Sequence, residues 1–292
     1  MKIFSIYEKC PDSVVVALGR FDGLHLGHQK VVSRAMDYAE DKGVKVALFT
    51  LKKQGPVQSQ ILSFEETVEK AATFGVDTII YADETPQFFA TDREDFLKTL
   101  FDNFAPKALF FGEDYTFGKD RLGTADYLDD YCKTRGVDHE KVSLLYMGGE
   151  KVSSTAIKEY LERGEIGRAN AMLGGDYFMS GVVEKGRGDG HKMGFPTANI
   201  LPDGTKMPIR EGVYKTTVIV DKKAYKALTS IGTAPTFGNN DLKCESFVIG
   251  FDRELYGKQI SVLYHEFLRD NIKFDTKEQL EEQIEKDLKI YD

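Results

Sequence analysis

Apolar and polar residues are arranged in two different ways along this chain. Up to Leu173, apolar runs of strand length take turns with stretches whose apolar residues recur at helical spacing. After Gly174-Gly175 the pattern breaks into short β-type runs separated by turn residues. In the first part, Val14 to Leu18 reads as a buried strand. The helix after it starts near His28, carries Val31, Val32, Ala35, Met36 and Ala39 on one face, and stops at Gly43. A strand over Val44 to Leu51, a helix from Phe64 to Phe74 and a strand from Val76 to Tyr81 follow. Then come a helix from Asp92 to Asn103 and strands over Lys107 to Phe111 and Val142 to Met147. This alternation predicts a parallel α/β sheet with ligands beyond the carboxyl ends of its strands.

Glu159 to Leu173 reads as a helical connector, which puts the domain boundary near Gly174 to Met179 and divides the chain into residues 1–175 and 176–292. Beyond it, strands are predicted over Gly181 to Glu184, Gly212 to Val220, Lys226 to Ile231, Cys244 to Phe251 and Gln259 to Phe267. Turns fall at Asp221-Lys222 and Gly238-Asn239-Asn240. Short strands at this spacing favour a small barrel. A last helix from Thr276 to Lys289, with Leu280, Ile284 and Leu288 on one stripe, is expected to cover it. The fold class is α/β followed by β: a parallel-sheet domain, then a barrel with a terminal helix.

The densest chemistry lies between the first strand and the first helix. Gly19, Phe21, Asp22, Gly23, His25, Gly27 and His28 form a glycine-rich turn running into a helix N-terminus. Unpaired N–H groups and the positive end of the helix dipole attract anions there, phosphates above all. The glycine spacing fits neither a dinucleotide fingerprint nor a P-loop. What remains is the His-x-Gly-His signature of nucleotidyltransferases, in which two imidazoles donate to phosphates and the intervening glycine lets the backbone come close. Histidines three residues apart are often incidental, but the strand and loop in front of these favour function. Two later loops fall where a parallel sheet would place a ligand. Gly112 to Gly123 carries Asp114, Lys119 and Arg121 and reads either as a solvated turn or as part of the site. Val152 to Lys158 opens a helix; Ser153, Ser154 or Thr155 would cap it, or their hydroxyls would hold phosphates beside Lys158.

Ala17-Leu-Gly-Arg-Phe-Asp-Gly-Leu-His-Leu-Gly-His-Gln29 resembles the nucleotide-binding motif of the bacterial bifunctional riboflavin kinase/FAD synthetase family. Gly112-Glu-Asp-Tyr-Thr-Phe-Gly118 is similar to that family's segment at the nucleotide and flavin site. In the second half, Gly186-Arg-Gly-Asp-Gly-His-Lys-Met-Gly-Phe-Pro-Thr-Ala-Asn199 resembles the riboflavin kinase motif, and Glu211-Gly-Val-Tyr214, Ile231 to Phe237, Cys244-Glu245 and Leu255-Tyr-Gly257 follow in the family's order. The resemblance implies a Rossmann-like nucleotidyltransferase domain and a riboflavin-kinase-like barrel. It implies that Gly186, Gly190, Gly194, Phe195 and Pro196 close around ATP, that Thr197 and Asn199 hold magnesium and ATP phosphates, and that Glu245 is the base for the riboflavin hydroxyl. The chain departs from the family pattern at Arg20, where Asn is usual, and at Lys158, where Arg is usual. Thr50 to Pro56 stands in place of Pro-His-Pro, and Asp189-Gly-His191 in place of Arg-Gly-Arg. Lys supplies charge but not a bidentate fork.

Composition narrows the class. The 292 residues carry a net charge of −8, with 29% charged and 41% hydrophobic. That acidic balance argues against a nucleic-acid surface, though not against nucleotide substrates. No apolar run approaches the roughly 20 residues of a membrane span, and the N-terminus lacks the form of a secretory signal, so a cytoplasmic location is expected. Cys10, Cys132 and Cys244 are too scattered for a metal site and read as reduced thiols. The activities and partners expected here come from the resemblance, which implies phosphorylation of riboflavin to FMN and adenylylation of FMN to FAD. The expected partners are ATP, riboflavin and FMN, with Mg²⁺ accompanying ATP and no permanently bound cofactor. Retention of only one activity, or a flavin sensor that binds without turnover, are the alternatives. The sequence carries no signal of oligomeric state.

Overall fold

An apolar run with no alternation needs cover on both faces, and Val14–Leu18 has it: its five residues are at most 1% exposed. In the computed structural model, which describes residues 1–184, 197–236, 239–251, 253–274 and 276–291, the chain packs as two compact units. One comprises Met1–Val57 with Leu62–Ser154, the other Gln58–Ile61 with Thr155–Asp292.

The first unit is a doubly wound α/β domain. Strands β1 (Lys2–Ser5), β2 (Val14–Leu18), β3 (Lys45–Lys52), β4 (Thr78–Asp83) and β5 (Ala108–Gly112) join an edge strand at Asp138–Val142 in one six-stranded sheet. Two short strands, β6 (Thr116–Phe117) and β7 (Gly123–Thr124), pair with each other before that edge strand, which is therefore β8. The sheet order is β1-β4-β3-β2-β5-β8 and every pairing is parallel. Helices α1 (Leu26–Lys42), α2 (Phe64–Thr73), α3 (Pro86–Phe89), α4 (Arg93–Phe104) and α5 (Ala125–Arg135) connect the strands. Val14, Val16 and Leu18 point into one core with Phe96, Leu97, Leu100 and Leu128; Val15 and Ala17 point into another with Val31, Val32, Ala35 and Ala71. The order of connection reverses at β2, whose neighbours are β3 and β5. A crevice at the strand ends forms at such a switch point.

The expected strand over Val142 to Met147 is displaced. The sheet strand is Asp138–Val142, while Tyr146–Met147 (β9) pairs only with Glu150–Lys151 (β10) in a small hairpin. An edge strand needs little apolar character; β8 carries charges, with Arg34 paired to Glu140 and Lys141 to Asp126. That is why apolar content misplaced it.

The second unit opens at Thr155, within α6 (Ser154–Arg163), and continues with α7 (Ile166–Leu173), which ends at Gly174 in the left-handed conformation. Strands β11 (Tyr177–Glu184), β12 (Thr197–Ile200), β13 (Gly212–Val220), β14 (Lys223–Thr236), β15 (Asn239–Val248) and β16 (Gln259–Arg269) close a barrel in the order β11-β12-β15-β14-β13-β16. All its pairings are antiparallel. Asp221 and Lys222 both have positive φ, 48° and 63°, as the tight turn of a two-residue hairpin requires. Inside, Tyr214 packs edge-on to Tyr264 at 5.4 Å. Helix α8 (Lys277–Leu288), capped by Thr276, is clamped to β16 by Arg269, which donates to both carboxylate oxygens of the half-buried Asp287. The segment Gln58–Ile61 joins this unit through the buried Lys206, whose ammonium donates to the Ile61 and Phe178 carbonyls at 3.0 and 2.8 Å.

Candidate active sites

Helix α1 starts at Leu26, two residues before the expected His28, because His25 is its cap: the Nδ1 of His25 accepts the His28 N–H at 3.3 Å. A capping acceptor satisfies one of the donors that every helix leaves unpaired. It also fixes the tautomer of His25, leaving Nε2 to carry the proton of the neutral ring. The His25 and His28 rings stack with centroids 3.6 Å apart and planes 16° from parallel. Gly27 permits this, since a Cβ there would lie 3.2 Å from His25 Cε1 and Nδ1. Gly19 does the same for Phe21, whose ring edge meets His28 at 5.1 Å.

Between Gly19 and His25 the backbone is unusual. Phe21, Gly23 and Leu24 have φ of 50°, 85° and 44°, and two of these are buried non-glycine residues. Such conformations cost on the order of 1–3 kcal/mol each and persist only where the surroundings hold them. Side chains from four places do so by donating to the loop's carbonyls. Thr50 Oγ1 of β3 donates to Arg20 at 2.7 Å, Ser154 Oγ of α6 to Asp22 at 2.9 Å, Lys70 Nζ of α2 to Gly23 at 3.1 Å, and Gln29 Nε2 of α1 to Leu24 at 2.8 Å.

The electrostatics follow from this enclosure. Burial, reinforced by Lys70, pushes His25 down to about 4; Asp114 opposes the shift and Lys151 adds to it. Burial, then the facing ring of His25, then Lys70 push His28 well below the usual histidine range. Its Nδ1 is buried with no hydrogen-bond partner among the described residues. At neutral pH the pair is therefore two neutral imidazoles, able to donate but not carrying charge.

Asp114, in the turn after β5, accepts from Lys151 of β10 at 2.5 Å. The loops after β2 and β5 follow adjacent strands, and Asp114 is near enough to His25 to act on its charge. Ser154 spends its hydroxyl on Asp22, while Thr155 and Lys158 lie further along α6 and belong to the second unit. Where Pro-His-Pro was expected, Thr50 is buried under the loop and Lys52 covers the Phe64 and Tyr81 rings at 4.9 and 5.4 Å. Arg20 pairs with Glu84. Sequence reading assigned no role to Thr50, Gln29 and Lys70, which donate to loop carbonyls, or to Lys151, which pairs with Asp114, because such contacts come from scattered elements and leave no spacing to read.

In the barrel, Thr197 and Asn199 stand on the outer side of β12 while Ala198 and Ile200 turn inward and are buried. Glu245 sits opposite Asn199 on β15, and Thr197 Oγ1 donates to Glu245 Oε1 at 2.6 Å. Three side-chain oxygen groups of the kinase-like motif therefore share one face. Gly186, Gly190, Gly194, Phe195 and Pro196 lie outside the described residues.

Comparison with known proteins fits both halves. Residues 7–156 match the FAD synthetase family and residues 173–292 the riboflavin kinase family. A bifunctional riboflavin kinase/FMN adenylyltransferase of Listeria monocytogenes is 32% identical, covering 94% of this chain and 90% of its own. That of Bacillus subtilis is 30% identical with the same coverage. The chain belongs to the bifunctional riboflavin kinase/FMN adenylyltransferase family. It is an enzyme of flavin-cofactor synthesis with both catalytic domains and a nucleotide co-substrate. A solved structure described as a macrolide-efflux protein from Streptococcus pneumoniae superposes with a TM-score of 0.87 at 28% identity, covering 99% of this chain and 98% of that one. Among the described residues, no helix is long and apolar enough to cross a membrane.

Proposed function

We propose that the α/β unit, within residues 1–175, joins FMN to the AMP part of ATP, and that the barrel, within residues 176–292, phosphorylates riboflavin. The observation that carries the first assignment is the neutral, stacked imidazole pair at the start of α1. An FMN phosphate oxygen attacks the α-phosphorus of ATP; one P–O bond forms, the α–β bridge breaks and pyrophosphate leaves. Preorganised donors aimed at the charge that develops dominate such displacements. His25 and His28 donate from Nε2 to the reacting phosphates, the N–H groups at the start of α1 and the loop of Gly19, Phe21, Asp22, Gly23 and Gly27 cradle them, and Asp114 borders the site. Ser153, Thr155 and Lys158 serve the distal phosphates, and Ser154 acts through Asp22.

In the barrel, the riboflavin hydroxyl attacks the γ-phosphorus of a second ATP, its proton passes to Glu245, and ADP leaves. Thr197 holds Oε1 of Glu245, which leaves Oε2 for that proton. Oxygen donors suit a hard cation, and Thr197 and Asn199 offer a hydroxyl and an amide carbonyl on one exposed face, so they fit the expected Mg²⁺. Bound there, it would neutralise charge on the ATP phosphates. Gly186, Gly190, Gly194, Phe195 and Pro196 are proposed to wrap that nucleotide. The three free thiols support a reducing, cytoplasmic setting, and the acidic balance supports small-molecule rather than nucleic-acid partners.

Incubation of the chain with riboflavin and MgATP, followed by chromatography, should yield FMN and then FAD; FMN and MgATP should yield FAD directly. Turnover of neither substrate would overturn the reading, and would leave a binding protein.

A further inference from the structure

The four carbonyl donors around the glycine loop are not equivalent. Thr50, Ser154 and Gln29 are neutral, whereas Lys70 brings a full charge to the Gly23 carbonyl, two residues before His25. The site it adjoins handles polyanions, and its two rings lie face to face at 3.6 Å, a spacing at which two imidazolium cations would repel strongly.

Resting on the adenylyl-transfer reading above, we infer that Lys70 is a positioning residue of that reaction: from α2 its ammonium clamps the Gly23 carbonyl, keeping the loop's peptide planes turned for phosphate and the stacked rings in place beside it. It acts through the loop and the rings, not by touching the reacting atoms. The clamp maintains a backbone that Phe21, Gly23 and Leu24 would otherwise leave, since all three sit in the left-handed region. The charge acts on the rings. Lys70 is the largest electrostatic influence lowering His25, ahead of the opposing Asp114 beyond β5 and the reinforcing Lys151 of β10. It also lowers His28, whose other facing group is His25 itself. Neutral rings donate from Nε2 without competing as cations for the magnesium-bound nucleotide. The positive charge that attracts the phosphates then lies on Lys70 rather than on the rings.

Three substitutions in the full chain separate clamp from charge. Lys70→Gln keeps a donor for Gly23 but removes the charge; Lys70→Met removes both; Lys70→Arg keeps both. Imidazole proton resonances of His25 and His28, assigned with His25→Asn and His28→Ala, are titrated by NMR. The acid limb of FMN adenylylation is followed in parallel. In Lys70→Gln, the titration of His25 and the acid limb should both move up toward the usual histidine range, and Lys70→Arg should restore them. Lys70→Met should show the same shift and, in addition, slower FAD formation at pH 8, where the rings are neutral in every variant. A His25 titration that stays put in Lys70→Gln overturns the inference, as does a shift that Lys70→Arg fails to reverse. If Lys70→Met does not fold, the Gln and Arg pair decides alone. Absence of FAD formation in the parent would remove the adenylyl-transfer reading and with it the role proposed for Lys70, whereas a parent that makes FAD with an unmoved titration removes Lys70 only.

Discussion

Near the start of α1 the proposed catalytic groups are sunk into the protein: His25 is 6% exposed, its Nδ1 is spent on the helix, and four side chains hold the loop before it. On the barrel, Thr197, Asn199 and Glu245 stand on the outside of two strands, and a single hydrogen bond links two of them. The two sites handle the same co-substrate in different ways. Enclosure changes what the histidines are, since it removes their charge; exposure leaves the barrel's oxygen groups as ordinary ligands whose behaviour depends on what binds. A perturbation inside the first site should therefore act through protonation and backbone shape. In the second it should act through the chemistry of the altered group alone.

The largest effect tests the exposed side. Glu245→Gln keeps size and the bond from Thr197 but removes the basic oxygen. FMN production should fall by about 10²–10⁴-fold, while adenylylation of supplied FMN continues in the other unit. Near-parental FMN production, measured on a variant whose thermal unfolding matches the parent, would reduce Glu245 to a surface residue.

His28→Ala should come next. Losing one donor to a transition-state phosphate typically costs about 10²–10³-fold, so FAD formation from FMN should drop by that factor with riboflavin phosphorylation intact. Equal loss of both activities would break the comparison, because it would mean that the two sites are not independent.

Much of this contrast could be read from the chain, and the parts that could not share a cause. The run Val14–Leu18, the Gly43 stop, the hairpin at Asp221-Lys222 and the terminal helix follow from local pattern, and each is where local pattern put it. Strand β8 is misplaced because its charged residues are tolerated at a sheet edge, and helix α5 is missed because only Ala125, Leu128 and Cys132 along it are buried. Gly174 does end a helix, yet α6 and α7 pack with the barrel unit, as does Gln58–Ile61, which is far from it in sequence. Membership in a core is a long-range property that no window reveals. In the site, the His-x-Gly-His spacing was legible, but His25's role as a cap and the carbonyl donors Thr50 and Lys70 depend on tertiary contacts.

Enclosure also has a thermodynamic signature. His25 is depressed to about 4 in the folded chain, whereas the unfolded chain titrates near an ordinary histidine's 6.5. The unfolded state binds more protons between these values, so stability is fully present above about pH 6.5 and is lost as pH falls through 4. The difference amounts to about 3 kcal/mol for this one group. His25→Asn keeps a capping acceptor and removes the titration. Unfolding midpoints between pH 7 and pH 4.5 should fall less steeply in that variant than in the parent; parallel slopes would mean that His25 is not held neutral.

The smallest effect comes from one methyl group. Gly27 lies in the first turn of α1, where Ala is the better helix former by roughly 1 kcal/mol, so Gly27→Ala should leave stability unchanged or slightly raised. Its Cβ, however, would lie 3.2 Å from the His25 ring and 3.6 Å from the Val152 carbonyl. The ring is the softer neighbour and would tilt. That would stretch the 3.3 Å bond from the His28 N–H and part the stacked rings. A misplacement of this size in a preorganised site should cost about tenfold in FAD formation, equivalent to about 1.4 kcal/mol of transition-state stabilisation. Riboflavin phosphorylation, on the exposed face of the barrel, should not change. A variant that is as stable as the parent and makes FAD at the parental rate would show that the close stacking of His25 on His28 is a by-product of packing, and that the enclosed site tolerates the looseness expected only of the exposed one.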